Sequence, residues 1–157
     1  MRALVLLLAL TVPARADIFD EADITLETYE VSGSSLDEVR TEMETGGPHG
    51  FWAWTEWNAT WDGDCQTWVE ATITLPELAA DAPLTDAQVA EFDRMAEALQ
   101  EHELGHVQIG LDFAAAVAEA GCPADTTSIH DAFAETERDY DAQTRHGQTQ
   151  GVTLDEP

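Results

Sequence analysis

His102, Glu103, Leu104, Gly105 and His106 place two imidazoles four positions apart, with a carboxylate directly after the first. On a helix, positions i and i+4 lie one turn apart on the same face. Both rings can therefore reach one ion at about 2.0–2.1 Å per nitrogen, which is half of a tetrahedral zinc site. Glu103 would project beside such an ion, where a carboxylate can take a proton from water and later return it to a leaving amine. Bound zinc lowers the pKa of water to about 7, so hydroxide becomes available at neutral pH. A shuffled chain of this composition would contain HExxH roughly 0.02 times, too rarely for chance to be the simplest account.

A catalytic zinc site needs a third protein ligand and an open fourth position. Its place depends on the elements that carry it. Val89, Phe92, Met95, Leu99, His102, His106, Ile109 and Phe113 follow i, i+3, i+4 spacing after Thr85-Asp86-Ala87-Gln88, a capping-box pattern, and predict one helix from about Asp86 to Ala120. Gly121 and Pro123 end it. A second helix is expected from about Ser128 to Gly147. Folded back antiparallel, it would bring the region of Thr144 level with the two histidines. His146 is then the first expectation for the third ligand and Asp141 the second, because imidazole suits zinc and Gly147 lets the chain turn His146 inward. Asp141 would in that case orient a ligand imidazole. Glu135 and Glu137 fall short by about seven residues, or roughly 10 Å. Asp112 would complete the longer pattern HExxHxxGxxH/D, but Ile109 stands where that pattern needs glycine, with Gly110 one place late. Tyr140 is a candidate donor to a transition-state oxyanion. The competing reading makes it a core tyrosine with its hydroxyl at the rim.

The first half of the chain reads as strands. Ile24 to Val31 alternates apolar and polar residues, Leu36, Val39 and Met43 mark a short helix ending at Gly46-Gly47-Pro48, and Phe51 to Trp61 and Trp68 to Leu75 alternate on either side of Asp62-Gly63-Asp64. This pattern predicts a small antiparallel sheet. Phe51 to Trp61 holds four of the five tryptophans, which fit core packing better than a substrate groove.

Composition narrows the setting. Arg2 precedes the apolar run Ala3 to Leu10, and Ala14-Arg15-Ala16 offers small residues for cleavage, so residues 1–16 read as an export signal and 17–157 as one domain, periplasmic or extracellular. No run approaches the roughly 20 apolar residues of a membrane span. The chain carries a formal charge of −26 and no lysine, a balance that repels nucleic acid and anionic membranes. Cys65 and Cys122 in an oxidising compartment predict one disulfide.

The HELGH motif together with Tyr140-Asp141-Ala142-Gln143-Thr144-Arg145-His146-Gly147 resembles a bacterial family of predicted secreted zinc-dependent proteases, a domain of unknown function. Tyr29-Glu30-Val31-Ser32-Gly33, the Trp-rich segment, Cys65 and Thr74-Leu75-Pro76 also look like that family, so the resemblance spans most of the chain after the signal. The family's commoner motif has Gln where this chain has Leu104, a change that spares both ligands and the base. The expectation is an α+β, zincin-like domain: a small antiparallel sheet, a long helix bearing HELGH, and a second antiparallel helix. Its expected activity is zinc-dependent hydrolysis of protein or peptide bonds, with Glu103 and Tyr140 catalytic. Alternatives are a non-catalytic metal-binding or interaction module of the cell envelope, and metal-assisted hydrolysis of a cell-wall or ester substrate.

Overall fold

The computed structural model describes residues 15–157. The expected signal, residues 1–16, lies outside them except for Arg15 and Ala16, which begin helix α1 (Arg15–Glu21). Then follow β1 (Asp23–Val31), α2 (Leu36–Gly46), β2 (Trp54–Trp61), β3 (Thr67–Leu78), α3 (Asp86–Glu119) and α4 (Thr127–Thr144), with short 3-10 turns at Pro48–Gly50 and Gln148–Gln150. The architecture is α+β. Among the described residues, no helix is long and apolar enough to cross a membrane.

The sheet is mixed rather than antiparallel, in the order β1-β3-β2. β2 and β3 form the expected hairpin, with Trp54 opposite Thr74 and Trp61 opposite Thr67. β1, however, pairs with the far edge of β3 in parallel, from Asp23 beside Glu70 to Val31 beside Leu78. Alternation reveals which face a strand buries but not its partner or direction. Here α2 supplies the slack that carries the chain past the end of β3, from the end of β1 to the start of β2. Pro76 is tolerated because β2 stops pairing at Thr74, leaving β3 with only β1 as neighbour there.

α3 is the spine of the molecule. Thr85 and Gln88 close the capping box: the Thr85 side chain accepts from the Gln88 amide, and Gln88 Oε1 accepts from the Thr85 amide at 3.0 Å. Its N-terminal half buries Phe92, Met95 and Leu99 against Leu36, Val39 and Met43 of α2 and against Val152 and Leu154 of the C-terminal tail. Its C-terminal half buries Leu104, Val107 and Ala114 against Val69, Ala71 and Ile73 of β3 and Ile18 of α1. The HELGH turn lies at the seam between these two cores. Leu104, two positions from either histidine and so on roughly the opposite side of the helix, anchors the turn to the sheet.

Two glycines make sockets in α3. A Cβ on Gly105 would lie 2.1 Å from the Tyr140 hydroxyl and 2.4 Å from its ring carbon, and a Cβ on Gly110 would lie 2.8 Å from the Trp57 ring. Gly110 therefore does not turn the chain. It admits an aromatic ring from β2, as Gly105 admits one from α4. Cys65, after the β2 strand, is joined to Cys122, beyond α3, with Cα atoms 5.6 Å apart.

Candidate metal centre

The two histidines sit on one face of α3 and turn the same atom toward the same point. His102 Nε2 is 3.3 Å and His106 Nε2 is 3.2 Å from Asp141 Oδ1 on α4. The three ligand atoms lie within 4.8 Å of one another. Nitrogen and oxygen ligands each about 2.0–2.1 Å from a tetrahedral zinc would be about 3.3 Å apart, so both contacts to Asp141 have the length that a shared ion would impose.

Proton placement is compatible with a shared cation. His106 Nδ1 contacts Glu137 Oε2, and an ionised carboxylate can only accept, so this nitrogen carries the hydrogen. In the neutral ring, Nε2 then presents its lone pair to Asp141 Oδ1. Two lone pairs at that distance repel unless a proton or a metal cation lies between them. The donor set of two imidazoles and one carboxylate could hold a metal ion, and a carboxylate on the second nitrogen is the usual support for a ligand imidazole.

Electrostatics separate the two rings. His102 is nearly buried, and loss of solvent pulls its pKa below the usual value against the opposing bond to Gln150. Burial also pulls His106 down, but the Glu137 hydrogen bond and the charges of Glu137, Glu103 and Asp141 outweigh it and raise the ring's pKa. Glu103 is 5% exposed, and desolvation raises its carboxyl above the ordinary range. Thr55 of β2 donates to Glu103 Oε2 at 2.7 Å and fixes its rotamer. These groups face a cleft of about 550 Å³, whose other wall includes Phe51, Trp52 and Trp54 and whose rim carries Arg138 and His146.

The expected site residues separate as follows. His102, His106 and Asp141 come together, with Glu103 beside them in the cleft wall. His146 stays at the rim, 60% exposed, with Nδ1 3.5 Å from Asp141 Oδ1 and its ring 5.5 Å from that of Phe51. The backbone explains this. Arg145, His146 and Gly147 all adopt positive φ, so α4 ends at Thr144, and even a continued helix would set His146, five residues past Asp141, about 140° from the face that bears it. Tyr140 stacks on His102 at 5.0 Å and directs its hydroxyl to the His102 carbonyl at 3.1 Å, not into the cleft. The oxyanion role expected for it has no support in that direction, and the fold uses it to hold α4 against α3.

Glu137, set aside on helix rise, proves to touch His106, and its Oε1 accepts from Trp57 Nε1 at 2.6 Å. Phe113 likewise meets His130 and Phe133. Taken together, these contacts put α4 about four residues, or roughly 6 Å, away from the register that level counting implies. The counting placed the start of α4 level with the end of α3, whereas the chain after Gly121 doubles back over the last turn of α3. One sequence signal was available: Glu137 and Asp141 are themselves i, i+4 on α4, a carboxylate pair matching the histidine pair.

Neither the curated proteins nor the solved structures contain a match to this chain. A family model, described as bacterial protein of unknown function, does match residues 26–147. That span includes the HELGH helix, the supporting Glu137 and the third donor Asp141, and by it the chain belongs to the DUF922 family.

Proposed function

We propose that this chain is an exported zinc-dependent hydrolase, zincin-like in its use of a helical HExxH motif, that cleaves peptide bonds. The observation that carries the reading is the convergence of His102 Nε2 and His106 Nε2 on Asp141 Oδ1, with the buried Glu103 carboxylate lining the same cleft. His102, His106 and Asp141 would hold the ion. When bound, zinc supplies a Lewis acid and brings the pKa of water to about 7.

The chain's own groups do the rest. Glu103, raised by burial and held by Thr55, is poised to take a proton from a water in the cleft and hand it to a leaving amine. Glu137 holds the Nδ1 hydrogen of His106, so that ring keeps one orientation through the cycle. The aromatic wall of Phe51, Trp52 and Trp54 offers apolar surface to a substrate chain. The Cys65–Cys122 disulfide fits an oxidising compartment.

Metal analysis and peptide digestion test the reading together. The purified protein should hold about one zinc per chain and lose it in the H102A/H106A double variant. Glu103→Gln should keep the zinc and lose chelator-sensitive cleavage of a peptide library. Zinc retained at full stoichiometry without the histidines would remove the metal assignment. Zinc binding without any cleavage by the parent would leave a metal-binding module instead of an enzyme.

A further inference from the structure

The tail that follows α4 returns to the site, and it lies beyond the family match, which ends at residue 147. Its path is unusual. Arg145, His146 and Gly147 take φ of 53°, 52° and 79° in succession, a left-handed run that non-glycine residues seldom adopt. Gly147 is required, because a Cβ there would lie 2.5 Å from Val152 and 3.1 Å from the His102 ring. The chain then crosses α3, where Arg94 donates to the carbonyls of Gly151 at 2.9 Å and Thr153 at 2.7 Å. Arg40 from α2 holds the Leu154 carbonyl. Two of the six basic residues of a strongly acidic chain are thus engaged with tail carbonyls.

This strap delivers Gln150 to His102. Three contacts close a ring: His102 Nδ1 to Gln150 Oε1 at 2.9 Å, Gln150 Nε2 to the Tyr140 hydroxyl at 3.2 Å, and the Tyr140 hydroxyl to the His102 carbonyl at 3.1 Å. The polarity of the ring follows from its last member. A carbonyl can only accept, so Tyr140 spends its one hydrogen there and must accept from Gln150. The Gln150 amide then shows its nitrogen to Tyr140 and its oxygen to His102. That oxygen can only accept, so His102 carries its hydrogen on Nδ1 and presents the Nε2 lone pair to the point shared with His106 and Asp141.

From this geometry we infer that Gln150 is a positioning residue for the metal centre, setting the tautomer and plane of His102 directly while the Tyr140 hydroxyl orients its amide, with the C-terminal strap as its mount. The inference rests on the zinc reading for its consequence, but not for the hydrogen-bond ring itself. The two histidines are therefore supported unequally: a carboxylate from α4 holds His106, whereas a neutral amide from a strap outside the helical pair holds His102.

The test uses the full chain and its Gln150→Ala, Gln150→Glu and Tyr140→Phe variants. Gln150 is exposed, so its replacement should leave the urea midpoint close to that of the parent. Zinc is titrated against a chromophoric chelator. Gln150→Ala should bind about 10–100-fold more weakly, the usual loss when a ligand imidazole is deprived of its support. Gln150→Glu, which keeps an acceptor for Nδ1, should recover most of that loss, and Tyr140→Phe should fall between. Nitrogen NMR of the His102 ring in the metal-free protein provides a second readout: the Nδ1–H tautomer should predominate in the parent and give way to a mixture in Gln150→Ala. Parent-like zinc affinity in Gln150→Ala would overturn the proposal. If the parent binds no zinc, the metal reading fails by itself, and the tautomer decides this one: an unchanged Nδ1–H form in Gln150→Ala overturns it, and its loss upholds it.

Discussion

Gly105→Ala sets helix propensity against packing at one atom. In an exposed helix interior this change would stabilise by about 1 kcal/mol, because alanine loses less backbone freedom. Here the new methyl would lie 2.1 Å from the Tyr140 hydroxyl and 2.4 Å from its ring. The ring has little room to retreat, since it stacks on His102 at 5.0 Å and meets His106 edge-on at 5.0 Å. Overpacking of this kind costs about 1–3 kcal/mol, and losing the Tyr140 bond to the His102 carbonyl costs about 1 more. After the propensity gain, the net destabilisation should be about 1–3 kcal/mol. Tyr140 adjoins Asp141 in sequence, so a ring displaced from the socket draws Asp141 away from the histidines, and zinc affinity should fall with stability. Urea denaturation in chelator measures the first effect without the second, and a zinc competition titration measures the second. In a double-mutant cycle, Tyr140→Ala should relieve most of the cost, because the overlapping group is gone. A Gly105→Ala protein as stable as the parent, with undiminished zinc affinity, would refute the socket.

Glu137→Ala should weaken zinc binding by about 10–100-fold while leaving Trp57 Nε1 without its acceptor, and loss of only the Trp57 fluorescence signature with unchanged affinity would count against a supporting role. Replacing Cys65 and Cys122 by serine should cost up to about 4 kcal/mol in urea denaturation, the chain-entropy value for a 57-residue separation, and free thiols in the unreduced, denatured parent would contradict the bridge. The Arg94 hydrogen bond and the Asp155 amide hold Glu91 at a pKa of about 2, below the ordinary value of about 4.3. Its contribution to tail docking should therefore be complete above the ordinary value and disappear as the pH falls toward about 2. The stability gap between the parent and Glu91→Gln should close over that window. A gap that is constant with pH would show that the ion pair does not clamp the tail.

Local chemistry was legible in the linear order of residues. HELGH is a helical motif because its apolar neighbours repeat at 3.6, and Thr85, Gln88 and Gly121 mark the ends of that helix to within a residue or two. The β2–β3 hairpin was legible for a similar reason, because alternation and the Asp62-Gly63-Asp64 turn act over a few residues. The two cysteines, once oxidised together, had one possible pairing. What tertiary structure decided is everything that depends on relative height and direction. β1 could lie parallel to β3 because α2 gave the chain room to cross, and nothing in its alternation specified direction. Asp141 rather than His146 joins the histidines because α4 is displaced by about four residues and ends in a left-handed turn, properties set by the fold-back after Gly121. The two sockets at Gly105 and Gly110, and the Gln150 contact, arise where separate elements meet. A helix's period is fixed by bonds four residues apart, whereas the register between two helices is fixed only by the side chains that interlock when they pack.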